Sequence, residues 1–500
     1  MVKMQRQSGE EKFVMMITEP VEKLICRFAV PTIISMLVTT FYNLVDTLFV
    51  RQLQNDSMVA AVGVALPLMS VIQAFGFFCG HGSGNYISRA LGRRDIKDAT
   101  TMATTGFGYS VVLGLLITVF GLIFREPLAL LFGAKTEATI RASVEYMTYI
   151  LIATPFMTGA VVLNNQLRMQ GNAFFAMAGL VSGTVINIIL DPLLIFGRGD
   201  VIFGGAVTMS FGAGMGVGGA ALATAISQIL SFILLLIGHF RSDSIRIDPR
   251  SFSFSFYYVK GIVQGGLPSL ARQGLASLAT ACLNHAVGIY LAGDELIDAA
   301  QAAMTGVSKL MMFLASALIG FGQGFQPVCG FNYGAGKYDR VRRSYWFCIK
   351  VSAVVLVAIS VLGYIFAVPV AGAVAGSSRL AADIASLTFR AQLVTFPLMS
   401  WVILCNMLLQ NIGLTVRATI VAMARQGLTF VPVILLQPLI FSACGGDPLL
   451  GIQLAQPVAD LLSFAISLPI GLVVLRQMKE AGGRAAKNGA ESKEASTAKE

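Results

Sequence analysis

Twelve apolar runs, most of about 22–28 residues, divide this chain, and each is long enough to cross a ~30 Å hydrocarbon core as a helix. They fall at 24–49, 58–86, 101–124, 143–167, 172–196, 215–238, 262–290, 299–328, 344–366, 383–409, 417–441 and 449–475. Hydrocarbon offers backbone amides no partner, so segments of this kind fold as helices that satisfy their own hydrogen bonds. The expected fold class is an all-α polytopic membrane protein.

Charge supports this reading. Charged residues make up 12% of the 500 residues, against about 25% in soluble domains. The net charge of +10 does not imply nucleic acid, because the basic residues sit in short loops between apolar runs. Arg89, Arg93, Arg94 and Lys97 follow the second run; Lys337, Arg340, Arg342 and Arg343 follow the eighth. The alternate loops hold only Arg51, Arg125, Lys135, Arg141, Arg198 and Arg379. That asymmetry predicts that both termini are cytoplasmic. No cleavable signal peptide is expected, since the first apolar run is too long for one. The seven cysteines show neither metal-ligand spacing nor a disulfide framework.

The two halves resemble each other. A shift of 244 matches Gly76, Gly80, Gly92 and Asp95 with Gly320, Gly324, Gly336 and Asp339. A shift of 242 matches Pro155, Asn164 and Gly171 with Pro397, Asn406 and Gly413. Near the half ends a shift of 232 pairs Gly219, Leu222, Ala223 and Leu230 with Gly451, Leu454, Ala455 and Leu462. Six spans per half keep the orientation, so the halves form two parallel six-helix bundles forming a central cleft, a design suited to alternating access. The expected divisions are a cytoplasmic N-terminal segment (1–23), an N-terminal bundle (24–240), a cytoplasmic linker (241–260), a C-terminal bundle (261–476) and a disordered cytoplasmic tail (477–500).

Acids inside apolar runs are the strongest sign of chemistry. An ionised carboxylate at bilayer depth costs about 2.5–3.5 kcal/mol and usually marks an ion or proton site. Asp46 lies in the first span and Asp191 in the fifth, with Asn187 four residues before it on the same helix face. Pro192 follows and bends that helix. Thr224, in the sixth span, falls at a similar depth. Together Asp46, Asn187, Asp191 and Thr224 offer oxygen ligands for H+ or a hard cation such as Na+.

The second half carries Arg272, His285, Lys309, Arg425 and Asp460, with Arg425 and Asp460 able to pair. Candidates for lining the cleft are Tyr42, Phe156, Met157, Arg272, Lys309, Met312 and Arg425, beside Phe41, Met311 and Met399. Aromatic and methionine side chains suit bulky amphipathic cargo because they re-pack around varied shapes. No catalytic spacing is present and only three histidines occur, so an enzyme is not expected; no cofactor is expected beyond a coupling ion.

Five stretches in order then resemble the multidrug and toxic compound extrusion family, in particular its MepA-like bacterial group. They are Tyr42-Asn43-Leu44-Val45-Asp46, Leu91-Gly92-Arg93-Arg94-Asp95, Arg168-Met169-Gln170-Gly171-Asn172, Asn187-Ile188-Ile189-Leu190-Asp191-Pro192 and the glycine-rich run from Gly216 to Thr224. The resemblance spans residues 19–477 and implies a pair of six-helix bundles exporting drugs or dyes against proton or sodium entry. It also implies that Asp46, Asn187, Asp191 and Thr224 form the cation site of the N-terminal half. Sodium-coupled relatives in another branch place acids in spans 7 and 10, where this chain has Arg272, His285, Ala391 and Gln392, with Asp383 only at the outer edge. Coupling through the N-terminal half, by protons in preference to sodium, is therefore expected. The partners expected are small amphipathic compounds, the coupling cation and lipid, with a monomer as the working unit. Rival readings are a flippase for lipid-linked saccharides, favoured by Arg272, Lys309 and Arg425, and a channel.

Overall fold

A computed structural model describes residues 9–53, 55–202, 207–242, 244–375 and 378–497. The first half contains α1 (Gly9–Thr18), α2 (Val21–Arg51), α3 (Asp56–Gly92), α4 (Ile96–Ile123), α5 (Arg125–Leu131), α6 (Glu137–Met169), α7 (Ala173–Ile195) and α8 (Gly216–Phe240). A short antiparallel hairpin, β1 (Val201–Ile202) with β2 (Val207–Thr208), lies between α7 and α8. The second half contains α9 (Phe256–Tyr290), α10 (Asp294–Gly334), α11 (Tyr338–Ile365), α12 (Ala367–Ala375), α13 (Arg379–Thr395), α14 (Met399–Asn411), α15 (Thr415–Met423), α16 (Phe430–Ala443) and α17 (Pro448–Thr497).

Eleven stretches among the described residues are helical, long and apolar enough to span a membrane. The other expected span, 262–290, is α9, which has 35 residues but is diluted by Gln264, Arg272, Gln273, Asn284 and His285. Two expected spans are broken. A 3-10 turn at Phe396–Leu398, around Pro397, separates α13 from α14, and a π-helical turn at Ala424–Leu428 separates α15 from α16.

The internal repeat is explicit in the helix boundaries. Helices α4, α5, α6 and α7 begin at 96, 125, 137 and 173, and α11, α12, α13 and α15 begin at 338, 367, 379 and 415, each 242 residues later. Helix α8 begins at 216 and α17 at 448, a shift of 232. The change falls where the first half carries the β1–β2 hairpin and the second half a short turn from Ala443 to Pro448. Conformation repeats too. Helices α3 and α10 end at Gly92 and Gly334, 242 apart where the sequence pairs Gly92 with Gly336, and two residues past each end the backbone is left-handed, at Arg94 (φ 61°) and Gly336 (φ 71°), a conformation that suits glycine. Arg94 lies over the Phe13 ring at 4.4 Å.

Two compact units form. Unit 1 comprises Pro31–Ile87 and Ile96–Gln273; unit 2 comprises Glu10–Val30, Ser88–Asp95 and Gly274–Glu500. Helix α2 thus starts in unit 2 and continues in unit 1, while α9 does the reverse. Glycines permit both attachments. In unit 2, a side chain at Gly324 would strike the Ala29 backbone; in unit 1, one at Gly266 would strike the Phe78 carbonyl. The core of unit 1 gathers Tyr146, Met147, Ile150 and Leu151, and that of unit 2 gathers Ala303, Met304, Phe389 and Phe396.

Helix α17 runs on through 477–497, over the stretch where the sequence predicts a disordered cytoplasmic tail; Ala, Lys and Glu are strong helix formers. The last three residues, 498–500, lie outside the described residues. The linker expected at 241–260 gives way to helix at Phe256, with Ser255 Oγ accepting from the Tyr257 amide. Within it Ile245 and Ile247 are buried while Arg246 and Asp248 are exposed, so the segment lies as a strap. Of the N-terminal segment, residues 1–8 lie outside the described residues; α1 buries Met15 and Met16 and packs in unit 2, where Arg340 donates to the Met16 and Glu19 carbonyls.

Candidate functional site

Small residues decide how close α7 and α8 come. A side chain at Gly219 would meet the Leu194 carbonyl at 2.4 Å, and one at Gly183 would meet Ser231 at 2.8 Å. Without Cβ atoms there, the two backbones approach as membrane helices rich in small residues do. That approach carries Thr224 of α8 to Asn187 of α7. Asn187 Nδ2 donates to Thr224 Oγ1 at 3.4 Å and to Asp191 Oδ1, one turn on, at 3.3 Å. Tyr42 Oη of α2 shares a hydrogen bond of 3.4 Å with Thr224 Oγ1. Asp191 is 0% exposed, and Asn187 and Thr224 are 2% exposed.

The set is rich in acceptors that are left over. Asp46 Oδ1, Asn187 Oδ1 and Asp191 Oδ2 are buried and have no hydrogen-bond partner among the described residues. The charges of Asp46 and Asp191 act on each other, and Asp46 also acts on Tyr42 and Tyr146. Among the described residues neither acid belongs to an ion pair. Buried polar groups are normally satisfied. Three orphaned oxygens, on two acids outside any described ion pair and one amide, leave the set with acceptors in excess of donors. Chemically, such a set can accept a proton on one carboxyl or a hard cation at its oxygens.

Sequence reasoning gathered Asp46, Asn187, Asp191 and Thr224, and the structure brings the last three into one network with Tyr42. It missed Ser227, 2% exposed with an unpartnered hydroxyl, one turn beyond Thr224 on α8. The spacing of three residues was the available signal.

The remaining candidates disperse. In unit 1, Phe156 is 38% exposed and meets Phe232 edge-on at 5.5 Å, whereas Met157 is packed in the core. Arg272 is half-buried on α9, where its charge acts on His81. His81 Nδ1 and Ser269 Oγ share a hydrogen bond of 2.8 Å. In unit 2, Lys309 and Met312 lie on the exposed face of α10, while Met311 and Met399 are core residues. Arg425 Nε lies 2.9 Å from Asp460 Oδ1, the pairing the sequence allows.

Comparison with known proteins fits this architecture. The MatE family model matches twice, at residues 31–193 and 273–436, once per repeat. The chain is 29% identical over 318 residues to a multidrug export protein, MepA, of Staphylococcus haemolyticus strain JCSC1435, covering 63% of this chain and 65% of that protein. It is 25% identical over 431 residues to MepA of Staphylococcus aureus strain MRSA252, covering 85% of this chain and 89% of that protein. A solved structure described as the outward-facing conformation of a multidrug resistance MATE family transporter superposes with a TM-score of 0.83 at 26% identity, covering 95% of this chain and all of the other. With both repeats matched by one family model and the whole fold shared, this chain belongs to the MatE family of multi-pass membrane transporters.

Proposed function

We propose that the protein is a cation-coupled antiporter that exports amphipathic, often cationic compounds by alternating access. Asp46, Asn187, Asp191 and Thr224 are its coupling site, with H+ preferred to Na+. The observation that carries this is the trio of buried, unpartnered oxygens on Asp46, Asn187 and Asp191. Two acids that repel each other at bilayer depth favour whichever conformation lets a cation in. Binding removes the repulsion and favours the other. A coupling ion acts only through such a difference in affinity between two states. The staphylococcal relatives named as multidrug export proteins support the choice of cargo. The working unit is a monomer in a bacterial plasma membrane with both termini cytoplasmic.

The test is dye efflux from proteoliposomes under an imposed pH gradient, wild type against Asp191→Asn. Gradient-driven efflux in the wild type, lost in the variant while dye binding persists, supports coupling at this site. Equal efflux from both sinks it. A flippase for lipid-linked saccharides is the second reading, favoured by Lys309 exposed on α10. It predicts movement of a lipid-linked substrate and none of soluble dye.

A further inference from the structure

A charged pair in unit 2, its acid buried and its arginine partly exposed, takes no part in this scheme. Asp460 of α17 is 2% exposed, and its Oδ1 accepts from Arg425 Nε at 2.9 Å and from Gln456 Nε2 at 2.8 Å. The repeat explains the position. The shift of 242 carries Asn187 onto Thr429, and the shift of 232 carries Thr224 onto Gln456. Thr429 and Ser463 share a hydrogen bond of 3.0 Å, joining the helices that correspond to α7 and α8. By the same shifts Arg425 falls on Gly183 and Asp460 on Gln228, each one helical turn from Asn187 and Thr224 of the first half. The charge differs: two acids without a cation there, one acid with a guanidinium here.

The form of the pair is informative. A guanidinium and a carboxylate that serve only each other tend to join through two parallel bonds. Here one bond is made, through Nε, and Gln456 supplies the second donor to the same oxygen. The Arg425 side chain keeps 26% of its surface exposed, though it belongs to an apolar span. An arginine side chain left partly exposed within an apolar span turns its charged end to water or a polar ligand, not to lipid. Its backbone is also unusual. Arg425 lies in the π-helical turn Ala424–Leu428, closed by Thr429, whose amide and hydroxyl both donate to the Ala424 carbonyl at 2.9 and 2.7 Å. Such turns cluster at functional sites.

We propose that Arg425 recognises the carboxylate of an amphipathic substrate, while Asp460, itself held by Gln456, pairs with the guanidinium through Nε and keeps the empty site neutral. The proposal rests on the export reading and adds a substrate class to it, carboxylate-bearing and zwitterionic amphiphiles. The substrate takes the two terminal nitrogens as a bidentate pair and Asp460 retains Nε.

The test compares rhodamine B, which carries a free carboxylate, with its ethyl ester, by fluorescence anisotropy on the full chain in phosphatidylcholine nanodiscs. Arg425→Gln weakens rhodamine B by about tenfold or more and leaves the ester within about twofold. Asp460→Asn, which frees Arg425 from its partner, tightens rhodamine B. The double variant Arg425→Gln/Asp460→Asn leaves no buried charge unpaired, keeps ester binding and matches Arg425→Gln, so the result does not depend on a single variant that fails to fold. Equal weakening of both dyes, or of neither, reduces the pair to a helix fastening and overturns the proposal. So does displacement of rhodamine B when phosphatidylglycerol replaces phosphatidylcholine, which assigns the site to a lipid headgroup. Wild-type protein that binds the ester but not rhodamine B overturns this proposal alone; binding of neither dye overturns the export reading with it.

Discussion

Asn406 donates its side-chain amide to the Ala418 carbonyl at 2.7 Å, repeating 242 residues later the bond that Asn164 makes to Ala176 at 2.8 Å. Each bond pins the end of one membrane helix to the first turn of the next across a tight turn, at Gly413 and Gly171. Removing either amide deletes a partly buried hydrogen bond worth about 0.5–1.5 kcal/mol. Asn164→Ala and Asn406→Ala are therefore expected to lower stability by similar amounts, read as matched falls in melting temperature in detergent. A large loss in one half alone would break the equivalence.

Close helix contact in unit 1 depends on Gly82, where an added Cβ would come within 2.3 Å of the Ile262 carbonyl. Backbone cannot give way as a side chain does, so Gly82→Ala is expected to cost about 1–3 kcal/mol or more through overpacking. Gly63 lies on the same helix with open space around it. There Gly63→Ala is expected to stabilise by up to about 1 kcal/mol through helix propensity. Thermal melting of the two variants gives shifts of opposite sign.

The Thr224 hydroxyl joins Tyr42 to Asn187. Thr224→Val keeps the shape and removes the hydroxyl, and is expected to slow gradient-driven efflux by about tenfold, the effect of 1.4 kcal/mol. Thr224→Ser restores most of it. If valine and serine behave alike, the hydroxyl is a packing group.

On the strap after α8, Ile247 is 8% exposed and packs with Leu163, Leu167 and Leu235. Its neighbour Asp248 receives no such cover, although its amide is held by Thr104 Oγ1 at 3.2 Å. Ile247→Ala is expected to cost about 2–5 kcal/mol, as truncation in a packed core does. Phe254, 83% exposed, should tolerate alanine within about 0.5 kcal/mol. Urea or thermal unfolding of the two variants separates these expectations.

What the sequence revealed followed from cost. Acids in hydrocarbon are so expensive that Asp46 and Asp191 could be read directly, and the i,i+4 spacing gave Asn187. Spans were legible for the same reason. Features set by contacts distant in sequence were not. Nothing local says that residues 10–30 pack in unit 2, since that depends on Gly324 lacking a side chain. The π-helical turn at Arg425 was hidden because its residues fit an ordinary helix equally well. Helices α5 and α12 were missed because they follow α4 and α11 almost without a break.

The β1–β2 hairpin bears on how the chain can be altered. One half of the repeat closes its fifth and sixth helices with the turn from Ala443 to Pro448, and the other spends Phe196 to Met215 on the same task. The longer connection lends Phe196 and Ile202 to the core of unit 1, yet joining the two helices does not require its length. It is the natural place to graft an epitope, a fluorophore or a crystallisation chaperone, because its twin shows that the helices on either side meet without it.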